Sequence, residues 1–456
     1  MNQSTVITYP APPGAVGTDD FRVQVNGQDV FVYHTPVAAF ACFAFSGSVE
    51  VSVTANREAT GVDLRPKRHG IAASVEDRTV RFTLTQPCQL SVEINGDIAR
   101  PLFLFANAPE VEPPDPNDGS VRYFEPDKIH DVGEITLKDN QTVYIPGGAV
   151  VRGWIKGEGV KGARILGHGI LDGSDPEAIK APLIAMRACR DIEVNGVIVV
   201  NDQGWTVVPV DCEDIRFTDF KLIGWNNNSD GIDIVGSKRV VIDGCFLRDK
   251  DDCVVIKATR HARNKDVKDV QVLNTVLWNA EWGNAIEIGF ELQTASVSDI
   301  LFADCDVIHV EKGAVFSIHN GDFTDVRNIR YEHIRVEDAR DKLVDLRIGM
   351  SIYSADCPEQ FSRGNPDRKR SAWGQWIRPE DAGQEGGKGR GRIRDICFKN
   401  IQVTGETVPV SPIQGFDDDH AVENVTVENL WIHGRHILNA ESGKFTVALA
   451  KNVRFV

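Results

Sequence analysis

The chain has 456 residues, of which 42% are hydrophobic and 25% charged, a composition that suits a folded protein with a large core. Its formal net charge of -16 argues against nucleic acid as a partner, because phosphate binding needs clustered lysine and arginine. No apolar stretch reaches the roughly 18 residues of a membrane span, so no membrane partner is expected.

The start of the chain and its cysteines bear on location. Residues 1–14 lack a charged segment followed by an apolar core, which predicts a cytoplasmic protein, or a secreted one if a signal has been removed. The nine cysteines form no Cys-x-x-Cys pair, and Cys245, Cys305 and Cys397 fall at apolar positions of strand-like segments. Buried free thiols in a reducing compartment are expected. With these cysteines and dispersed histidines, no metal site and no cofactor is predicted.

Residues 1–108 are expected to form a small N-terminal β-sandwich. Residues 21–25 and 30–33 alternate apolar and polar side chains around Asn26-Gly27, a dipeptide typical of β-hairpin turns. The same alternation recurs at residues 80–84 and 90–94. Residues 109–139 are assigned to a linker and lead-in, because residues 108–118 are rich in proline and acidic side chains. The sandwich would either cap the next domain or bind glycan.

From about residue 140 a short frame repeats, with a small polar residue, an apolar one, any residue, a second apolar one and then Asn, Asp or Gly. Its copies start 23 to 30 residues apart, except for one interval of 67. This period predicts three short strands per turn of a coil, because each turn must bury its inward side chains on the next. Residues 140–456 are therefore expected to form an all-β, right-handed parallel β-helix of about ten turns. The frames begin at Ala163, Asp191, Asp214, Arg239, Asp269, Asp299, Asn328, Asp395 and Asn424.

The long interval indicates an insertion over residues 341–392, expected to form a flap beside a groove. Trp373 and Trp376 within it are either sugar-stacking platforms or packing for a long loop. Its glycine-rich end lacks the strand–loop–helix context of a phosphate-binding loop. A flap that blocks one end of the groove would favour exo action on imported oligosaccharides.

Three aspartates form the most informative pattern. Asp251 and Asp252 follow Asp230 by 21 and 22 residues, close to one turn of the coil. Residues one turn apart stack about 4.8 Å apart, so the three carboxylates can converge. Because neighbours on a strand point to opposite faces, Asp251 and Asp252 must lie at a bend, which the polar run 248–252 favours. Crowded carboxylates repel, so one stays protonated while others ionise, as glycosidic hydrolysis requires.

At this point the sequence resembles a known family. Asn228-Ser229-Asp230-Gly231-Ile232-Asp233 resembles the Asn-x-Asp-Gly-x-Asp motif of glycoside hydrolase family 28, the polygalacturonases. Asp251-Asp252-Cys253 resembles the family's Asp-Asp-Cys motif, one turn later. The resemblance covers roughly residues 147–456. It implies an inverting hydrolase in which Asp251 is the general acid, while Asp230 and Asp252 hold the attacking water.

Two family motifs are missing. The Gly-His-Gly motif is replaced by Gly283-Asn284-Ala285, so its histidine is absent, and the Arg-Ile-Lys motif has no clear match. The following turn instead reads Ser317-Ile318-His319-Asn320. Residues 287–290 and 307–309 are more similar to glycoside hydrolase family 49, the dextranases and isopullulanases, in which a β-sandwich precedes an inverting β-helix. The resemblance therefore leaves the substrate open between uronide-containing and neutral chains.

Several polar and aromatic residues near the motif turns are candidates for contact with sugar. Lys257 either binds a substrate carboxylate or hydroxyl, or tunes the aspartate pair. Trp205 and Trp225 either stack on pyranose rings or pack internally. The residues assigned to substrate binding are Asn228, Lys257, Asn284, Glu287, His319, Asn320 and Trp282.

The sequence thus predicts an enzyme, an inverting glycoside hydrolase that acts on a polysaccharide or a derived oligosaccharide and resembles polygalacturonases. One alternative is a dextranase- or isopullulanase-like hydrolase of a neutral glucan. The others are a polysaccharide lyase, which would use Ca²⁺ bridged by the aspartates, and a non-catalytic glycan-binding β-helix. The oligomeric state is left open.

Overall fold

The computed structural model describes residues 4–174, 182–259, 265–371, 374–378, 381 and 389–456. Regular structure in these ranges is almost entirely β, with a single 3-10 turn at Lys67–His69. Two small sheets precede a long coil of parallel strands. Among these residues, no helix is long and apolar enough to cross a membrane.

The N-terminal strands form two sheets that share one apolar core. Inward residues of both sheets are buried, including Val23, Val51 and Leu104. The first sheet contains Thr5–Thr8, Val32–His34, Ala39–Ser46, Val62–Arg65, Cys88–Ile94 and Leu102–Asn107. The second contains Phe21–Val25, Gln28–Val30, Val49–Ala55, Ala73–Glu76 and Thr79–Leu84.

The hairpin expected around Asn26-Gly27 is present. Val25 pairs with Gln28, and both turn residues have positive φ, as the tight hairpin turn requires. Its second strand ends at Val30, earlier than predicted. Residues 32–34 pair with the other sheet, because the chain crosses from one layer to the other at Phe31.

The coil has three faces, and each turn passes through them in order. We call the first face 1; its twelve parallel strands are Val121–Tyr123, Thr142–Tyr144, Arg164–Leu166, Arg190–Asn195, Glu213–Thr218, Lys238–Asp243, Val267–Leu273, Ser296–Ala303, Asp325–Glu332, Arg392–Lys399, Val422–Glu428 and Ala450–Phe455. The twelve strands stack in register, one turn above another.

At the start of the coil, faces 2 and 3 are not yet separate. Two long strands, Ile129–Thr136 and Val150–Glu158, bend from face 2 into face 3. Face 2 then contains Ile170–Asp172, Ile198–Val200, Lys221–Ile223, Phe246–Asp249, Val276–Asn279, Asp306–Val310, Arg335–Val336, Gln402–Val403 and Leu430–Ile432, the last paired with the antiparallel strand Arg435–Ile437. Face 3 contains Ile184–Arg187, Val207–Val210, Ile232–Val235, Val254–Ala258, Ile286–Leu292, Ala314–Asn320, Lys342–Ile348, Ser411–Gln414 and Phe445–Ala448.

The repeated frame read from the sequence corresponds to face 1. All nine copies fall on its strands, and eight of the nine begin with a residue in the left-handed region, for example Asp191, Arg239 and Asn328. Asp and Asn tolerate this backbone conformation better than most residues, which explains their recurrence at the first position. Side chains there also bond from turn to turn, as Asn424 Nδ2 donates to Asp395 Oδ1 at 2.9 Å.

The interior of the coil is filled by inward side chains of all three faces in one continuous apolar cluster. Cys245 and Cys305 lie in it as buried free thiols, as expected. Cys397 is also a free thiol, but it is half-buried on the outside of face 1. Tyr331 stacks between Phe302 and Phe398, with ring centroids 5.1 and 4.9 Å away. This stacking of like residues is what holds successive turns in register.

The right-handed parallel β-helix behind an N-terminal sandwich is confirmed. Face 1 has twelve strands, more than the ten turns expected, since the coil begins at Val121 within the segment assigned to linker and lead-in. The insertion also starts later than residue 341. Strand Lys342–Ile348 is part of face 3, so the excursion from the coil begins at Gly349.

The sandwich packs against the outer surface of face 2. Phe103 lies against Phe246 and Trp278, with ring centroids 4.9 and 5.7 Å apart. Beside this apolar patch, His309 Nε2 lies 2.9 Å from Glu93 Oε1. Arg65 bonds both Glu93, at 3.0 Å, and Glu337, at 2.7 Å. The two domains are thus joined by apolar contacts and by a buried ionic network.

Replacing Glu93 by Gln should destabilise the protein by about 3 kcal/mol, because it leaves Arg65 and His309 buried with less compensating charge. Urea unfolding followed by tryptophan fluorescence measures the loss. Glu76→Gln is the control, since its pair with Arg81 is exposed and should contribute less than about 1 kcal/mol. Equal effects of the two variants would contradict a stabilising role for the network.

Candidate active site

The three predicted aspartates meet where face 2 turns into face 3. Asp230 lies two residues before strand Ile232–Val235, while Asp251 and Asp252 precede Val254–Ala258, the next strand of the same face. Ile232 pairs with Val254, so the two bends lie one above the other. One carboxylate oxygen from each aspartate lies within 4.8 Å of the others. The predicted convergence is therefore observed.

The bend predicted at Asp251 and Asp252 is also present. Face-2 strand Phe246–Asp249 ends before them, and the face-3 strand starts only at Val254. The alternation of a regular strand does not apply between the two, so both side chains reach the same cleft. Such close carboxylates also have the geometry to bridge a cation such as Ca²⁺, although the sequence predicts no metal site.

Gly283 and Asn284, the residues matched to the missing Gly-His-Gly motif, lie beside the aspartates. Gly283 has a φ of 65°, and a Cβ there would come within 2.4 Å of Asp251 Oδ1, so a side chain is excluded. Asn284 donates its backbone N–H and its Nδ2 to Asp252 Oδ1, at 2.6 and 3.1 Å. Asn284 thus fixes the carboxylate of one of the catalytic candidates.

Asn284 is in turn held by a chain of polar residues along face 3. Its Nδ2 donates to Glu287 Oε2 at 2.9 Å, and the same oxygen accepts a short hydrogen bond from Ser317. His319 lies between two carboxylates, 3.0 Å from Glu287 and 3.4 Å from Asp345. Burial disfavours a charged imidazole, but these two carboxylates outweigh it and raise the pKa of His319 to about 9.

Lys257 forms ion pairs with two carboxylates on the preceding turn. Its Nζ lies 2.9 Å from Asp230 Oδ2 and 2.9 Å from Asp233 Oδ1. The ring of Trp205 covers the ammonium, with its centroid 3.8 Å away. Burial opposes the charge, yet Asp230 and Asp233 raise the pKa of Lys257 well above its usual range, so the side chain is an ammonium.

The pKa values of all three aspartates are raised. Burial and the neighbouring Asp230 carboxylate raise the pKa of Asp251 to about 6. Burial, Asp230 and Asp251 raise the pKa of Asp252 well above the usual range. Burial also raises the pKa of Asp230, against the opposing effect of Lys257. These shifts are the result of packing several carboxylates into one desolvated site.

The aspartates open onto a cleft of about 410 Å³ that runs along face 3 toward the insertion. Asn228, Lys257, Asn284 and His319 line it as predicted, and Trp205 forms part of one wall. The insertion supplies the opposite wall through Tyr353, Arg363, Gln375 and Trp376.

Three predicted binding residues do not line the cleft. Asn320 is fully buried, and its Nδ2 donates to the carbonyl oxygens of Thr324 and Arg392, because it points inward next to the outward His319. Trp282 is 54% exposed beside Lys312, outside the cleft lining. Glu287 is buried and acts through Asn284 and His319. Trp225 also lies outside the lining, and Trp373 lies outside the described residues.

The cleft has a basic end, which we define as Lys342, Arg347, Arg363 and the imidazolium of His319. Of these four cations, only His319 was predicted from the sequence. Lys342 and Arg347 lie on a face-3 strand that was assigned to the insertion. Asp345 and Arg347 are separated by one residue between buried apolar neighbours, a pattern of outward polar positions that could have revealed the strand. Arg363, in the irregular insertion, has no comparable signal.

Comparison with known proteins supports the family resemblance. Residues 128–346 match the family described as Glycosyl hydrolases family 28. A probable endopolygalacturonase D of Neosartorya fischeri is 24% identical over 190 residues, which are 37% of this chain and 35% of that protein. A polygalacturonase of Juniperus ashei is 23% identical over 286 residues, 62% of this chain and 46% of that protein. The chain thus spans less than half the length of these relatives.

Solved structures share the fold over a greater length. Dex49A from Penicillium minioluteum superposes with a TM-score of 0.67 at 15% identity, covering 99% of this chain and 96% of that one. The family 28 exopolygalacturonase of Yersinia enterocolitica gives 0.51 at 12% identity, with 90% and 93% covered. The predicted resemblance to glycoside hydrolase family 28 is confirmed, and the fold is shared with Dex49A.

Replacing Glu287 by Gln should lower the pKa of His319 from about 9 by roughly one unit or more, because one of its two carboxylate partners is lost. Proton–nitrogen NMR of histidine-labelled protein, titrated from pH 5 to 10, measures the change. Glu281→Gln, which removes an exposed carboxylate paired with Lys250, is the control. An unchanged His319 titration would refute the assigned ion pair.

Proposed function

We propose that the protein hydrolyses glycosidic bonds in a polysaccharide or a derived oligosaccharide. The observation that carries the proposal is the convergence of three carboxylates within 4.8 Å at the floor of a cleft. Hydrolysis of a glycosidic bond needs one group to protonate the leaving oxygen and another to activate water, and carboxyl groups do both. The match to family 28 over residues 128–346 supports the same chemistry.

The hydrogen bonds around the aspartates support a division of roles. Asp230 is paired with the Lys257 ammonium, and Asp252 accepts two N–H groups from Asn284. Both sets of hydrogen bonds stabilise the carboxylate form and so oppose the burial that raises the pKa values of Asp230 and Asp252. Among the described residues, Asp251 accepts one hydrogen bond, from the backbone N–H of Asp252 at 3.2 Å. We therefore assign the role of general acid, which carries the proton, to Asp251. Asp230 and Asp252 are assigned to the positioning of water.

The proposed reaction is a single displacement. Asp251 donates its proton to the glycosidic oxygen as the bond to the anomeric carbon breaks. Asp230 and Asp252 accept hydrogen bonds from a water that attacks the same carbon, and one of them takes its proton. A pKa of about 6 suits an acid that must be protonated before the step and ionised after it. Inversion at the anomeric carbon is proposed from the family resemblance and not from the carboxylate spacing, because the aspartate oxygens here lie within 4.8 Å, whereas those of most inverting enzymes stand about 6.5–9.5 Å apart.

We further propose that the substrate carries carboxylate groups, as a uronide chain does. The basic end of the cleft has four cations, and the carboxylates that contact them are Glu287 and Asp345. It lies two to three turns, or about 10–14 Å, from Asp251 along the coil. Among the described residues, Arg363 has no carboxylate within ion-pair distance and lies over the Tyr353 ring. An unengaged guanidinium is suited to bind a carboxylate in bidentate fashion.

Asp251→Asn should leave folding intact and lower turnover by about 10²–10⁴-fold, the usual contribution of a positioned acid. Proton NMR of a panel of acidic and neutral glycans measures the rate and the anomer formed first, which should be inverted. Asp269→Asn is the control, because Asp269 is exposed on face 1 and its left-handed backbone tolerates Asn. An unsaturated, ultraviolet-absorbing product that chelator abolishes would indicate a lyase. Near-normal activity in Asp251→Asn would refute the assignment.

Arg363→Gln should raise the KM for an acidic oligosaccharide about tenfold, because a charge-assisted hydrogen bond to the substrate is lost. Initial rates on polygalacturonan oligomers, against dextran and pullulan oligomers, measure the effect. Arg370→Gln, an exposed position of the same insertion, is the matched control. Cleavage of neutral glycans alone, or an unchanged KM on the acidic ones, would contradict the proposed substrate class.

A further inference from the structure

Lys257 stands out because it is a cation buried in the catalytic half of the cleft. It is 5% exposed and occupies an outward position on strand Val254–Ala258, whose other members are apolar. Burying an unpaired ammonium costs free energy, so Lys257 can be buried here only if carboxylates pair with it. Register places Lys257 beside Val235 on the preceding turn, close to Asp233 and Asp230. Both carboxylates contact its Nζ at 2.9 Å.

The charges around Lys257 come from several turns. Asp230 and Asp233 belong to the preceding turn, Asp251 and Asp252 to its own, and Glu287 and Glu291 to the next. Among the described residues that line the cleft, the other cations all lie at the basic end. Lys257 is therefore the main counter-charge of the aspartate cluster.

We propose that Lys257 is a positioning residue for the hydrolysis proposed above. Its ammonium fixes the Asp230 carboxylate in the orientation that accepts a hydrogen bond from the attacking water. Asp233 and the ring of Trp205 hold the ammonium in turn. This assignment rests on the proposed function and replaces the sequence-based assignment of Lys257 to substrate binding. Two of the three ammonium N–H groups already have carboxylate acceptors.

Loss of the Lys257 charge should change the pH dependence of hydrolysis. Without the ammonium, Asp230 is buried among carboxylates with no adjacent cation, so it takes up a proton at a higher pH. A protonated Asp230 no longer accepts the water's proton. The acidic limb of the kcat/KM profile should therefore move to higher pH when Lys257 is neutralised, while substrate affinity changes little.

The test compares Lys257→Met, Lys257→Arg and Lys250→Met on the most active glycan, from pH 4 to pH 9. Lys257→Met should shift the acidic limb upward by about one pH unit or more and change KM less than about threefold. Lys257→Arg should retain the wild-type limb. Lys250, on the neighbouring bend, pairs with the exposed Glu281 and serves as the matched control. A KM raised tenfold or more with an unmoved limb would overturn the proposal in favour of substrate binding.

A second measurement needs no substrate, so it separates failure of this inference from failure of the proposed function. The melting temperature of Lys257→Met should fall further below wild type at pH 8 than at pH 5. The reason is that an ionised Asp230 without its cation is destabilising, whereas a protonated Asp230 is not. The double variant Lys257→Met with Asp230→Asn should melt higher than Lys257→Met alone at pH 8. An equal loss at both pH values, with no recovery in the double variant, would refute the pairing.

Discussion

Everything in this protein depends on the stacking of one turn of the coil on the next, about 4.8 Å apart and in register. Inward positions use that stacking to build a continuous apolar interior. Outward positions on face 3 use it to align polar side chains that are far apart in the chain. Asp230 and Asp251 meet because their bends are one turn apart, and Asn284 reaches Asp252 because it lies one turn further. The active site is therefore a column of residues that the repeat itself aligns.

The same stacking has an electrostatic cost, because it buries the carboxylates of Asp230, Asp233, Asp251 and Asp252 close together. Hydrogen-bond donors and cations on adjacent turns offset that cost. Lys257 lies between Asp230 and Asp233, and His319 lies between Glu287 and Asp345. Burial and the remaining repulsion raise the pKa of Asp251 to about 6, a value that suits a group that must donate a proton. Positive charge then accumulates at the end of the cleft that is furthest from the aspartates.

Two additions to the coil give the cleft its shape. The sandwich covers face 2 and is joined to it by apolar contacts and by the Arg65–Glu93–His309 network, so face 3 is the polar surface left beside the site. The insertion after face-3 strand Lys342–Ile348 adds the second wall. Arg390 anchors its base by donating to the carbonyl oxygen of Gly349 and by pairing with Asp356. Trp376 then packs on Phe290 within the cleft, with ring centroids 5.1 Å apart.

The sequence by itself determined the repeat, the fold class and the aspartate trio, because these depend on spacing along the chain. A left-handed position within most face-1 strands favours Asp or Asn, which makes the frame visible. Contacts between turns with no such signal required the tertiary structure. It decided that Lys257 pairs with Asp230, that Asn320 points into the interior, and that Lys342 and Arg347 belong to face 3. The physical reason is that spacing fixes which turn a residue occupies, whereas packing fixes which partner its side chain meets.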